Sequence, residues 1–187
     1  MENQNEKVKK SFKNLGQIKK SLKDLFIVPN EVVGINKFYL LLSTFFGCGY
    51  FRFASGTFAS IVAAIIGFVF ISFSHIALFI LIMILLVIGF ISADKSIIET
   101  NNDPSFVVID EVVGQLIPFL LIGSQSFLIN LLMSILALVI FRILDIYKPW
   151  IIGKAETSFK GGIAIMMDDI LAGVFTLFII FIILLFV

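Results

Sequence analysis

Cysteine and histidine are almost absent from this chain of 187 residues, which has one of each, Cys48 and His75. A single cysteine excludes an internal disulfide and a metal cluster built on cysteine ligands. Cys48 also lacks the phosphate-cradling loop and following arginine that a cysteine-dependent phosphatase needs. We therefore interpret Cys48 as a packed side chain.

Charged residues are scarce as well, at 14% of the chain, whereas 59% of the residues are apolar and 22 are phenylalanine. The mean hydropathy is +1.09. Soluble domains contain about 45–50% apolar residues, so the composition indicates an integral membrane protein, and the length suits one domain. No pattern typical of a cleavable signal peptide is present, so we expect the N-terminus to stay attached and cytoplasmic.

The first 37 residues form a basic arm that contains eight of the 14 lysine and arginine residues. Between residues 7 and 27, apolar side chains recur at helical spacing, which predicts an amphipathic helix lying on an anionic lipid surface. A disordered basic tail is the alternative, which Gly16 favours. We expect lipid and not nucleic acid as the partner of this arm, and the sequence leaves the oligomeric state open.

Residues 38–187 are predicted to form an all-α, polytopic membrane domain with about five spans. The stretch after residue 38 is too short to span, and we expect an interfacial or re-entrant helix that ends at Gly47-Cys48-Gly49. Polar loops are predicted at 93–105 and 145–167. The predicted spans are Thr57–Phe73, His75–Ser92, Val107–Gly123, Phe127–Leu144 and Ile170–Val187.

Lysine and arginine residues fix the predicted topology. With the N-terminus inside, every connection that contains Lys or Arg falls on the inner side, and the outer connections contain none. This distribution follows the positive-inside rule. It places all acidic residues at the cytoplasmic face and leaves His75 alone outside, which excludes a histidine nucleophile or general acid.

Acidic residues at the predicted span ends are the strongest functional signal. Such residues are costly in a membrane unless they are paired or bind metal, and antiparallel packing can bring three span ends together. Carboxylates without histidine or cysteine suit Mg²⁺ or Mn²⁺. Each diacid could instead cap a helix N-terminus, although Asp145 lies at the opposite helix end. The predicted metal ligands are Asp110, Glu111, Asp145, Asp168 and Asp169.

Basic, glycine and hydroxyl residues near these acids are candidates for phosphate binding. Arg142 lies three residues before Asp145 on one helix face, so Arg142 and Lys148 either grip a phosphate or form structural ion pairs. The pair Gly161-Gly162 offers backbone N–H groups to an anion or forms a plain turn. Thr57 and Ser60 lie at a helix start that could bind an anion or serve as a close helix contact.

These residues together predict metal-assisted chemistry on a phosphate. A phospholipid headgroup transferase would also gather aspartates and Mg²⁺ at this face, but it would need a nucleotide site. A small ion transporter could use the same acids, although acids in the middle of spans would favour it, and here they cluster at span ends.

The same residues resemble the phosphatidylglycerophosphatase A family of bacterial membrane lipid phosphatases over about residues 38–187. One block of the resemblance contains Asp103, Val108, Asp110-Glu111 and Gly114. The family usually has a proline before Gly56 and a glycine at position 59, where this chain has Ser55 and Ala59. The strongest block comprises Phe141–Asp145, Lys148-Pro149-Trp150, Gly161-Gly162, Ile165–Asp169 and Ala172-Gly173.

The resemblance implies a Mg²⁺-dependent hydrolysis of phosphatidylglycerophosphate to phosphatidylglycerol and phosphate. It implies a membrane phospholipid as substrate and the bacterial inner membrane as location. The residues themselves predict the metal, the phosphate and the cytoplasmic face, whereas only the resemblance supplies the substrate.

Overall fold

The structure is a computed structural model that describes residues 25–26, 36–100, 104–123, 125–149 and 151–186. Its regular elements are helices, and this part of the chain has no strand, only an isolated bridge between Phe26 and Phe51. The predicted all-α class is therefore confirmed. Most of the predicted helix in the N-terminal arm lies outside the described residues, as do Asp103 and Trp150.

The α-helices of the described ranges are numbered here in chain order, and two short 3₁₀ helices accompany them in these ranges. The predicted short helix before Gly47 is present as α1, but it ends at Ser43, and a turn leads from there to Gly47, which has a left-handed φ of 93°. The α-helices are α1 Lys37–Ser43, α2 Ser55–Ile71, α3 His75–Thr100, α4 Ile109–Leu116, α5 Phe127–Tyr147, α6 Ile151–Ser158 and α7 Gly162–Leu184, and the 3₁₀ helices are Cys48–Tyr50 and Ile117–Leu120.

Among the described residues, three helices are long and apolar enough to cross a membrane: the His75–Ser96 part of α3, together with α5 and α7. Helix α2 is apolar but has 17 residues, about 25 Å of helix against a hydrocarbon core of about 30 Å. The membrane character is confirmed, whereas the predicted number of five spans is not.

The predicted span Val107–Gly123 is not a continuous helix. Helix α4 ends at Leu116 and continues as the 3₁₀ helix Ile117–Leu120, which contains Pro118. Proline has no N–H to donate to the preceding turn. Apart from Glu111, residues 107–119 are buried inside the protein, and a broken backbone is tolerated at membrane depth where protein covers it.

This broken segment nevertheless runs beside α2 along the length of the bundle. A Cβ at Gly56 would meet the carboxylate of Glu111, and the backbone of Gly123 lies beside Ile71. At that second end, Nε2 of His75 lies 2.7 Å from the carbonyl oxygen of Ile122. The structure thus places His75 at the end of the bundle opposite Glu111, as the predicted topology requires.

Both predicted polar loops are partly helical. Helix α3 continues to Thr100 through the predicted loop 93–105, and the predicted loop 145–167 contains α6 and the first turn of α7. The polar residues there mark where the chain leaves the apolar layer. They do not end the helices, because Lys, Ala and Glu favour helix in water as well.

Helix α7 packs against α3, α4, α5 and α6. Its contact with α4 is close because glycine faces glycine: a Cβ on Gly173 would overlap the carbonyl group of Gly114. Asp110 and Asp169 each lie four residues before one of these glycines, on the same helix faces. The glycine contact therefore brings the two aspartates to neighbouring positions.

Candidate active site

A polar cleft of about 420 Å³ opens at the end of the bundle where α2 and α4 begin and α5 ends. All five predicted acidic residues line it, and so do both predicted phosphate-binding cations. The lining residues are Ala54, Ser55, Gly56, Thr57, Pro104, Ser105, Val107, Asp110, Glu111, Arg142, Asp145, Lys148, Ile165, Asp168 and Asp169.

Three of the five acids, Asp110, Glu111 and Asp169, form one cluster. Each offers a carboxylate oxygen within 4.8 Å of the others, and Asp110 and Asp169 are only 8% and 3% exposed. Oδ1 of Asp110 and Oε2 of Glu111 are buried without a hydrogen-bond partner in the described part of the chain. Unsatisfied, mutually repelling carboxylates are costly unless a cation compensates them. This cluster therefore fits a hard divalent cation such as Mg²⁺.

Asp145 contacts Arg142 and is not among these three. Nη1 of Arg142 lies 2.5 Å from Oδ2 of Asp145 and 4.0 Å from Oε1 of Glu111. The same Nη1 donates to Oγ of Ser60 at 3.5 Å. The predicted shared face of Arg142 and Asp145 is confirmed. Because Arg142 also reaches Glu111, the ion pair is part of the site and is not an isolated surface pair.

Asp168 contacts Lys148. Nζ of Lys148 donates to Oδ2 of Asp168 at 2.7 Å, and Oδ1 of Asp168 accepts the backbone N–H of Asp169 at 3.1 Å. Lys148 follows the last residue of α5 with a left-handed φ of 43°. The sharp end of α5 thus places a cation against α7, next to the acidic cluster.

The interpretation of the diacids as helix caps holds for only one of them. Asp110 and Glu111 lie in the first turn of α4, where the helix dipole favours anions. Asp168 and Asp169 lie in the second turn of α7, which begins at Gly162. They cannot cap that helix, and their burial needs another explanation.

The two predicted hydroxyl residues, Thr57 and Ser60, lie in different places in the structure. Thr57 lines the cleft. Ser60 lies behind Arg142, where its Oγ donates to the carbonyl oxygen of Gly56 at 2.8 Å. Ser55 and Ser105 also line the cleft, and Oγ of Ser55 donates to the carbonyl oxygen of Ser105 at 2.9 Å. Neither serine was predicted, because isolated serines at loop ends carry no sequence signal.

The glycine pair Gly161-Gly162 is not among the residues that line the cleft. The backbone N–H of Gly162 donates to Oδ1 of Asp94 at 3.2 Å, and a Cβ on Gly162 would overlap the backbone of Asp94. Gly161 has a positive φ of 67°. The structure therefore favours the interpretation as a turn, which lets the start of α7 approach α3.

Comparison with known proteins identifies the family of the chain. The family model for phosphatidylglycerophosphatase A matches residues 41–184, a range that contains every residue lining the cleft. The chain belongs to this family. No solved structure matches the chain.

Curated relatives of the chain have related names. A putative phosphatidylinositol-3-phosphatase from Bacteroides thetaiotaomicron is 36% identical over 73% of this chain and 87% of its own length. The phosphatidylglycerophosphatase A of Haemophilus influenzae is 30% identical over 75% of this chain and 85% of its length. The phosphatidylglycerophosphatase A of Escherichia coli is 37% identical over 39% of this chain and 40% of its length. Family membership makes this protein a lipid phosphatase of the membrane.

Proposed function

We propose that this lipid phosphatase hydrolyses phosphatidylglycerophosphate to phosphatidylglycerol and phosphate with the help of Mg²⁺, at the cytoplasmic face of a bacterial inner membrane. One observation carries the proposal. A buried acidic cluster with two unpartnered oxygens shares a single cleft with Arg142 and Lys148. Such a cleft has groups for both a cation and a phosphate.

Asp110, Glu111 and Asp169 would hold the metal ion. When bound there, the ion would polarise the phosphoryl group and lower the pKa of a water molecule. Asp145 and Asp168, which we predicted as further metal ligands, contact Arg142 and Lys148, and Asp145 also lies beside Asp169. We assign these two aspartates as positioning residues for the basic side chains.

Arg142 and Lys148 would bind the phosphate of the substrate. Charge spreads over three phosphoryl oxygens during the transfer, and the planar guanidinium group of Arg142 can donate to two of them. Lys148 supplies a compact point charge at the end of the same helix.

In the proposed reaction, a water oxygen attacks phosphorus and the bond between phosphorus and the ester oxygen breaks. Water supplies the hydroxyl group that phosphate keeps and the proton that the leaving lipid hydroxyl gains. The cleft provides no histidine for these proton transfers, since His75 lies at the other end of the bundle.

A second lipid is a candidate substrate, because the Bacteroides relative is named for a phosphoinositide substrate. Both substrates carry a phosphomonoester on a lipid headgroup, so the cleft chemistry is shared. The headgroup transferase and ion transporter alternatives lack such support: the family is one of phosphatases, and the acids gather at one end of the bundle.

Phosphate release from the purified full chain tests the proposal. We expect release from phosphatidylglycerophosphate that requires Mg²⁺, stops with a chelator and needs no nucleotide. Preference for phosphatidylinositol 3-phosphate would change the substrate assignment. Nucleotide dependence would favour the transferase, and activity that survives thorough chelation would remove the metal from the proposal.

A further inference from the structure

An apolar groove runs between α2 and α5 on the outer side of the bundle. Its volume is about 220 Å³. Several of the side chains that line it are apolar and exposed, and these would face lipid. The groove is lined by Ile61, Ala64, Ile65, Phe68, Val69, Leu131, Ser134, Ile135 and Leu138.

This groove continues the active-site cleft along the same two helices. Thr57 of α2 and Arg142 of α5 line the cleft, and Ile61 and Leu138 line the groove. On each helix the two residues are four positions apart, which is one turn or about 6 Å along the axis. The groove therefore begins where the cleft ends. From Ile61 to Val69 it extends a further 12 Å or so, about 1.5 Å per residue.

The floor of the groove is made of small residues. Ala64 and Ser134 are almost completely buried, and Oγ of Ser134 donates to the carbonyl oxygen of Asn130 within α5 at 2.7 Å. The hydroxyl group therefore needs no partner in the groove. At the far end, the ring of Phe68 packs edge-on against Phe127, with centroids 5.7 Å apart. The result is an apolar groove with bulky walls, which fits a hydrocarbon chain.

We propose that this groove holds one acyl chain of the lipid substrate while the phosphomonoester lies in the cleft. The inference rests on the proposed function and adds to it the path of the lipid tail. Lipid tails are about as apolar as leucine, so the groove gives a chain no hydrophobic advantage over the bilayer. What it provides is orientation: a chain fixed between α2 and α5 places its headgroup against Arg142 and the acidic cluster.

Filling the groove tests this role. Ser134→Leu places a branched side chain on the floor, whereas Ser134→Ala removes the hydroxyl without adding bulk. Val139→Phe is the matched control, because Val139 is exposed on α5 but does not line the groove. Ile61→Trp, at the end nearest the cleft, is an independent second block if Ser134→Leu does not fold.

The assay compares long-chain phosphatidylglycerophosphate with its deacylated form, which has the same phosphomonoester and no acyl chain. We expect the blocked variants to lose roughly three- to tenfold in kcat/KM on the long-chain lipid, because the headgroup is then oriented less well against the cleft. Their activity on the deacylated form should match that of the wild-type protein. Equal losses on both substrates, or normal activity on both, would overturn the groove proposal and leave the phosphatase assignment in place.

A readout without turnover separates the two proposals. Phosphatidylglycerophosphate with a photoactivatable group in one acyl chain should label peptides that contain residues 61–69 or 131–138, and Ser134→Leu should reduce the labelling. If the lipid probe labels the groove of a protein that releases no phosphate, the result would refute the proposed phosphatase function and support acyl-chain binding in the groove. Labelling concentrated at the other apolar cavity near Lys148, which is lined by Leu144, Pro149, Ile151, Ile152 and Phe175, would place the chain elsewhere and overturn the inference.

Discussion

Lys148 and Asp168 are 20 residues apart in the chain, and the structure joins them by a bond of 2.7 Å between Nζ and Oδ2. The contact connects the end of α5 to the second turn of α7. The sequence predicts Asp168 as a metal ligand and Lys148 as a phosphate-binding residue. The structure shows that these two side chains contact each other. This contact between two helices places the charge of Lys148 beside the acidic cluster. Residue spacing within one helix could not bring these two side chains together.

Substitutions in this pair should reduce turnover to different extents. Lys148→Ala removes the proposed phosphate contact, and a charge-assisted bond is worth about 1.5–3 kcal/mol, so kcat/KM should fall roughly ten- to a hundredfold. Lys148→Arg should keep part of the activity. Asp168→Asn retains an acceptor oxygen and should cost less than Lys148→Ala. Lys160→Ala, an exposed lysine outside the cleft, is the control, and near-normal kinetics for Lys148→Ala would show that Lys148 does not bind phosphate.

The acidic cluster should control metal dependence. Asp169→Asn replaces a proposed metal ligand by a neutral amide, which binds a hard cation poorly, so we expect turnover to fall strongly and the Mg²⁺ concentration needed for the remaining activity to rise. Asp168→Asn should leave the Mg²⁺ requirement nearly unchanged. Asp94→Asn is a matched control, since Asp94 accepts the N–H of Gly162 outside the cleft. Identical Mg²⁺ titrations for Asp169→Asn and the wild-type protein would contradict the assignment of the metal site.

Arg142 should be more sensitive to a conservative change than Lys148. Arg142→Lys keeps the charge but loses the planar guanidinium group, which can donate to two phosphoryl oxygens and whose Nη1 contacts Asp145, Ser60 and Glu111. Lysine cannot replace such multiple contacts, and we expect a larger loss for Arg142→Lys than for Lys148→Arg. A fall confined to kcat would indicate transition-state stabilisation, whereas a change in KM alone would indicate binding of the ground state. Equal, small losses in both variants would reduce Arg142 to a structural partner of Asp145.

Gly56 should be required for the shape of the cleft. A Cβ at this position would overlap Oε1 of Glu111 and approach Nη1 of Arg142 at 3.2 Å, so Gly56→Ala should displace both side chains and reduce kcat at least tenfold, as for one misplaced catalytic group. Gly89→Ala is a matched control, because its Cβ would meet the flexible end of Met166 outside the cleft. Thermal unfolding of both variants should be measured beside kinetics. Loss of folding without a specific loss of turnover would refute this role for Gly56.

Accessibility of engineered cysteines tests the orientation in the membrane. The sole cysteine is first replaced by Cys48→Ser, and single cysteines are then introduced by Lys160→Cys and Gln125→Cys at two exposed positions. If the N-terminus and the active site are cytoplasmic, an impermeant thiol reagent should label the residue-125 variant in intact cells. It should label the residue-160 variant only after permeabilisation. The reverse pattern would invert the topology and place the cleft outside.

The sequence by itself determined the helical membrane class, the family and the acidic and basic residues that line the cleft. Long apolar runs leave few alternatives to helices in lipid, because backbone polar groups must be satisfied within the segment. The motif residues Arg142, Asp145, Lys148, Asp168 and Asp169 all line one cleft, as the predicted antiparallel packing requires. The ends of the helices were predicted less well. Polar residues mark where the chain leaves the apolar layer of the membrane, whereas the hydrogen bonds of the helix can continue beyond that point.

Only the tertiary structure divided the five acids into a cluster of three and two partners of basic residues. That division depends on helix rotation and on close glycine contacts such as Gly114 with Gly173, which set side-chain directions at a precision that spacing alone does not give. The same packing buries the segment around Pro118 as a core element and moves Gly161-Gly162 away from the cleft. A one-dimensional pattern specifies which residues share a helix face, whereas distances between faces arise only when helices pack.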